Sequence, residues 1–124
     1  MARIMIIDDS LVARMSLKAC IPKDAGHELT EGNDGSVAIE LYQSFKPDVT
    51  FMDLTMPGVD GIVALEAIRR LDPSARVIIL TADIQRRTIE RVTELGACAV
   101  VKKPPAKEAV LAELDKVLAD GTKP

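Results

Sequence analysis

The chain has no tryptophan, one tyrosine and two phenylalanines among its 124 residues. An aromatic core is therefore excluded, and since 48% of the residues are hydrophobic the interior must be aliphatic. An excess of basic charge is also missing. The net charge of -3 argues against a dedicated nucleic-acid binder, which would carry a basic stripe along one face. No apolar run approaches the ~20 residues needed to span a bilayer. The start, Met1-Ala2-Arg3, leads straight into a strand-like run instead of a signal-peptide core, so no membrane attachment and a cytoplasmic location are expected. Cys20 and Cys98 show no metal-ligand spacing and read as reduced, buried small hydrophobes. His27, the single histidine, has no cysteine or second histidine near it and reads as a polar edge-strand residue.

What is present is a strict alternation of two periods. Strand-like segments at residues 3 to 7, 27 to 31, 48 to 53, 76 to 81 and 98 to 102 are each followed by a helix-like one, at 11 to 21, 35 to 45, 61 to 71, 85 to 95 and 106 to 119. The last helix is the clearest, with Val110, Leu111, Leu114, Val117 and Leu118 forming one apolar stripe. Gly26, Gly96, Gly121, Lys46-Pro47 and Asp72-Pro73 mark the breaks. Met5, Met15, Met52 and Met56 suit core gaps or loop contacts, and Arg86, Arg87 and Arg91 a solvated helix face. A chain of this length forms one domain, here residues 1 to 120 with a short tail at 121 to 124, and no output domain is expected after it.

Such alternation predicts an α/β fold: a doubly wound five-stranded parallel sheet with right-handed crossovers and helices on both faces. The runs ending at Asp8, Asp53 and Thr81 are the most continuously apolar and should be central, while the polar second and short fifth strands suit the edges. The flavodoxin-like order 2-1-3-4-5 follows.

Ligands in such sheets bind outside the carboxyl ends of the strands, at the point where strand order reverses. There the sequence places Asp8 and Asp9 after the first strand and Asp53 at the end of the third. Carboxylates crowded together raise one another's pKa, so the arrangement costs stability unless a cation or strong donor occupies it, and a divalent metal is the simplest occupant. Thr81 ends the fourth strand and Lys103 follows the fifth, adding a hydroxyl and an ammonium. This set suits a phosphoryl group, with Mg²⁺ (or Mn²⁺) between carboxylates and phosphoryl oxygens and with Thr81 and Lys103 on the other oxygens. Asp53 stands alone at the middle strand and is the acid placed for attack, giving an aspartyl phosphate. The adjacent Lys102 should point to the opposite side and stay solvated. Asp9 or Ser10 also suits the cap of helix 11 to 21, a role compatible with metal binding.

The motifs Ile6-Ile7-Asp8-Asp9-Ser10, Pro47-Asp48 through Met52-Asp53 to Asp60-Gly61, Leu80-Thr81-Ala82, Gly96-Ala97 and Lys103-Pro104 resemble the receiver domain of two-component response regulators, above all the single-domain chemotaxis regulators. The resemblance covers nearly the whole chain. It implies phosphotransfer from a phosphohistidine on a sensor kinase or phosphotransfer protein to Asp53, with Mg²⁺ on Asp8, Asp9, Asp53 and the backbone carbonyl of Thr55. It implies further that Thr55 and Asp83 flank the path of the hydrolytic water and tune dephosphorylation, and that Lys103-Pro104 is cis with Pro105 opening the last helix. Two positions depart from the family pattern. Val100 stands where an aromatic switch residue is usual, and Pro105 where phenylalanine is frequent. With Val100 unable to rotate a ring, the signal should pass from Thr81 through residues 82 to 85 to a partner-binding face of helix 85 to 95, strand 98 to 102 and helix 106 to 119.

Two other readings use similar residues. Haloacid-dehalogenase-like phosphohydrolases combine Asp, Thr, Lys and Mg²⁺, but place Asp-x-Asp at the first strand and the acidic pair late; here the pair comes first and Thr55 cannot act as the second acid. A receiver-like module that is never phosphorylated would have little reason to keep all five site residues.

Overall fold

Ile4, Met5, Ile6 and Ile7 fill β1 (Arg3–Ile7) and all four are buried, because this strand has a neighbour on each edge and helices on each face. In the computed structural model, which describes residues 2–54, 56 and 60–119, it is followed by α1 (Leu11–Cys20), β2 (Glu28–Gly32), α2 (Gly35–Phe45), β3 (Val49–Asp53), α3 (Gly61–Leu71), β4 (Val77–Thr81), α4 (Arg86–Glu94), β5 (Ala99–Lys102) and α5 (Lys107–Ala119). The five strands form one sheet in the order β2-β1-β3-β4-β5. All pairings are parallel: Ile4 lies opposite Leu29 and Val49, Thr50 opposite Val77, and Ile78 opposite Ala99. The expected architecture and strand order are thus both present.

Alternation along the strands splits the core in two. Ile4, Ile6, Phe51, Ile78, Leu80 and Val101 face Leu17 of α1 and Val110, Leu114 and Val117 of α5. Met5, Ile7, Met52, Val77 and Ile79 face Ala38 and Tyr42 of α2, Leu65 and Ile68 of α3, and Val92 of α4. Burying one such side chain completely contributes about 1.5–3 kcal/mol. The central strands therefore supply much of the rigidity on which the rim depends. Serine and aspartate caps set the helix starts: Ser10 accepts from the Ala13 N–H, Asp34 from Val37 and Asp60 from Val63. Among the described residues no helix is long and apolar enough to cross a membrane.

Some expectations need correction. The first helix stops at Cys20, and a short 3-10 turn, Lys23–Ala25, carries the chain to Gly26 at φ 75°. His27 precedes β2, where its Nδ1 accepts the Ala2 N–H at 3.0 Å and ties the β2 approach to β1. Cys20 is buried, but Cys98 is exposed, because it lies just before an edge strand. Met15 is 56% exposed on the outer face of α1, unlike the buried Met5, Met52 and Met56. Pro105 sits two residues ahead of α5, which begins at Lys107. The tail from 121 to 124, with Gly121, lies outside the described residues.

Candidate functional site

The register that aligns β1 with β3 and β3 with β4 brings their carboxyl ends to one rim. Asp53 is the last residue of β3 and is buried, as is Asp8 immediately after β1, while the neighbouring Asp9 is exposed. One carboxylate oxygen from each of Asp8, Asp9 and Asp53 lies within 4.8 Å of the others. Thr81 ends β4 with its side chain buried, and Lys103 follows β5 directly. The Lys103 Nζ donates to Asp8 Oδ2 at 2.7 Å and stands 3.3 Å from Asp53 Oδ1. Partial burial lowers the Lys103 pKa, but the hydrogen bond to Asp8 and the charges of Asp53 and Asp8 outweigh it and hold the ammonium above its ordinary value.

The backbone around these groups is tightly determined. Lys103 N–H donates to the Thr81 carbonyl at 2.9 Å, which ties the lysine to the end of β4, and the Lys103-Pro104 bond is cis as expected. At β3, the chain returns so closely that a Cβ on Gly61 would stand 2.2 Å from the Asp53 carbonyl oxygen and 2.7 Å from the Leu54 Cα. Both are backbone atoms with no freedom to yield, so the first turn of α3 needs glycine to seat against Asp53. The Gly61 N–H closes the approach with a 3.0 Å bond to the Leu54 carbonyl.

Thr81 begins a chain of hydrogen bonds toward α4. Its Oγ1 accepts the Asp83 N–H at 3.0 Å, and the Asp83 carboxylate accepts the Gln85 N–H at 3.0 Å and the Thr88 hydroxyl at 2.7 Å. The Thr88 and Gln85 bonds, in that order, keep the Asp83 carboxyl below its usual range. Beside Thr81 a hollow of about 330 Å³ is lined by Met56, Ile62, Asp83 and Thr88, among others. Val100 is half-buried against the core layer of α2, α3 and α4 and does not line this hollow. Lys102 is exposed, and the Thr55 carbonyl lies outside the described residues.

One group of residues at the rim was not foreseen. Arg14, one turn into α1, donates through Nη1 to the Asp8 carbonyl and through Nε to Glu31 of β2 at 2.9 Å, and Lys18 holds the other Glu31 oxygen at 2.8 Å. The sequence signal is faint: Arg14 and Lys18 are four apart and so share a helix face, but nothing local says that this face meets Glu31.

The carboxylate cluster is an all-oxygen donor set of the kind hard divalent cations take. Within the cluster a single ammonium, Lys103, faces Asp8 and Asp53, so acidic groups outnumber the amine that meets them. Comparison with known proteins agrees with the geometry. The family model of the response regulator receiver domain matches residues 4–115. Chemotaxis protein CheY of Thermotoga maritima is 38% identical over 116 residues, covering 93% of this chain and 96% of that protein. Among solved structures, Vibrio cholerae CheY4 superposes with a TM-score of 0.87 at 28% identity, covering 95% of this chain and 99% of that one. The CheX–CheY–BeF3–Mg²⁺ complex from Borrelia burgdorferi contains a chain similar at TM-score 0.86 and 28% identity, covering 94% of this chain and 88% of that one. With strand order, rim residues and family match all in agreement, the chain belongs to the response regulator receiver domains and is of the CheY-like kind.

Proposed function

We propose that the protein is a phosphorylation-dependent signalling switch in which Asp53 accepts a phosphoryl group from a phosphohistidine on a sensor kinase or phosphotransfer protein. The observation that carries this reading is the position of Asp53: buried at the end of the central strand, 3.3 Å from the Lys103 ammonium and within one carboxylate cluster with Asp8 and Asp9. In the transfer an Asp53 oxygen forms a bond to phosphorus while the P–N bond to imidazole breaks, its electron pair returning to the ring nitrogen. Lys103 is held in place by Asp8 and donates to a phosphoryl oxygen. The Thr81 Oγ1 uses a lone pair to accept from Asp83, so its hydroxyl proton remains available to donate to a second phosphoryl oxygen. Asp8, Asp9 and Asp53, with the Thr55 carbonyl, would hold Mg²⁺, which when bound neutralises charge on the phosphoryl oxygens. The Borrelia complex, solved with Mg²⁺ and BeF3, supports the same chemistry here.

On this reading Thr55 and Asp83 tune the lifetime of the aspartyl phosphate. With Val100 lacking a ring, output passes from Thr81 through Asp83 to α4, and a downstream protein docks on the face formed by α4, β5 and α5. Labelled acetyl phosphate tests the reading. The expected result is one acid-stable, hydroxylamine-sensitive label per chain, lost in Asp53→Asn. Rapid multiple turnover would instead indicate the phosphohydrolase reading, which the family match already disfavours, and no labelling would indicate a silent module.

A further inference from the structure

We infer that Arg14 is a positioning residue for the cation site, setting the direction of the Asp9 carboxylate by clamping the Asp8 carbonyl while Glu31 and Lys18 hold its guanidinium. The inference rests on the proposed metal role of the acidic cluster.

Asp8 is held at each of its polar groups. Its N–H donates to the Gly32 carbonyl at 3.1 Å, its Oδ1 accepts the Ser10 N–H at 2.9 Å, its Oδ2 accepts Lys103 at 2.7 Å, and its carbonyl accepts Arg14. Asp9 is different. It is exposed, and no hydrogen bond reaches its carboxylate from the described residues. What the fold fixes for Asp9 is therefore the backbone from which its side chain departs, and the peptide plane between Asp8 and Asp9 is the one that Arg14 holds. Long side chains on a helix lean back toward its N-terminus, which is why a residue in the first turn of α1 reaches a carbonyl at the preceding strand end.

The guanidinium is itself braced. It is largely buried, with 15% of its side chain exposed, and one fork serves the Asp8 carbonyl while Nε serves Glu31. Glu31 lies opposite Ile6 in the β1–β2 register, so the brace joins the edge strand to the strand bearing the acids. Arginine's planar array of donors suits two partners in fixed directions, whereas an ammonium is a single point charge. Supporting bonds of this kind, one step removed from a metal, typically alter metal affinity 10–100-fold.

Geometry and simple electrostatics make opposite predictions here, which makes the test decisive. If Arg14 acted only as a positive charge near the carboxylates, removing it would tighten cation binding. If it positions Asp9, removing it weakens binding. Mg²⁺ alone is titrated calorimetrically into the parent, Arg14→Gln, Arg14→Lys and Glu31→Ala at fixed ionic strength, with melting temperature recorded for each. The expected result is about a tenfold rise in Kd for Arg14→Gln and a severalfold rise for Arg14→Lys and Glu31→Ala. Arg70→Gln, which removes an exposed ion pair with Glu66, should bind as the parent does. Parental or tighter binding in both Arg14 variants, whatever their melting temperatures, overturns the inference. A parent that does not bind Mg²⁺ defeats the metal reading as well, so the two failures are distinguishable.

Discussion

At the scale of single residues, the buried phenol of Tyr42 gives a measurable pH signature. Its hydroxyl donates to Asp72 Oδ2 at 2.6 Å, joining α2 to the end of α3, and burial raises its pKa from 10.0 to about 12 against the opposing charges of Arg69 and Arg76. The neutral form is thus favoured in the folded state. Its contribution is fully present below the unfolded value near 10 and is lost as pH rises toward 12. Urea melts at pH 9 and 11.5 should show a steeper loss for the parent than for Tyr42→Phe, which has no phenol to ionise; parallel losses would refute it. Lys103 shows the complementary case, an ammonium kept charged by two carboxylates despite partial burial. These residues differ in legibility. Asp8, Asp53, Thr81 and Lys103 can be found by counting to the ends of apolar runs, but nothing near Tyr42 announces that its hydroxyl meets Asp72, thirty positions away.

At the scale of elements, the start of α4 is held by a residue two positions before its cap. Its cap position, Gln85, makes no side-chain capping bond, and the Asp83 carboxylate instead serves both the Gln85 N–H and the Thr88 hydroxyl. Only one α4 residue, Val92, is buried. With so little packing, the start of the helix depends on local hydrogen bonds. Asp83→Ala should accelerate amide exchange at residues 86 to 90 while leaving α3 and α5 unchanged. Uniform protection across α4 would show that Asp83 does not hold it. The same variant removes a hydrogen-bonded step between Thr81 and α4, and so also tests the proposed roles of Asp83 in lifetime and output. The starts of α1, α2 and α3 fall where the periodicity places them and α4 begins one residue later than expected, but nothing in the sequence near Arg86 shows that Asp83, three residues upstream, holds that start.

At the scale of the whole molecule, the fold brings three carboxylates to one rim. A cation that binds there stabilises the folded chain by mass action, about 2.7 kcal/mol at a hundredfold excess over Kd. For a domain of this size that corresponds to a rise in melting temperature of roughly 10 °C. Mg²⁺ added at fixed ionic strength should give this shift in the parent and little of it in Asp9→Ala. An unchanged melting temperature in the parent would remove the cation site. The exposed position of Asp9 makes it the better probe, since it contributes no buried packing that its loss would confound.

Period and order along the chain determined the architecture. Runs such as Ile4-Met5-Ile6-Ile7 are apolar at every position, which suits a strand covered on both faces, and five β/α alternations permit few parallel arrangements. The strand-end acids, Thr81 and Lys103 follow from that order, since the carboxyl ends of adjacent parallel strands must share one rim. Tertiary structure decided what depends on the packing of distant elements. Arg14 meets Glu31 only because α1 lies against the β1–β2 edge, Met15 is exposed because α1 has no neighbour on its outer face, and Cys98 is exposed because β5 ends the sheet. Local periodicity tells which face of an element is apolar, but not which side chains from elsewhere arrive at its polar face. That is set by crossing geometry and by the edges of the sheet, which exist only once the chain has folded.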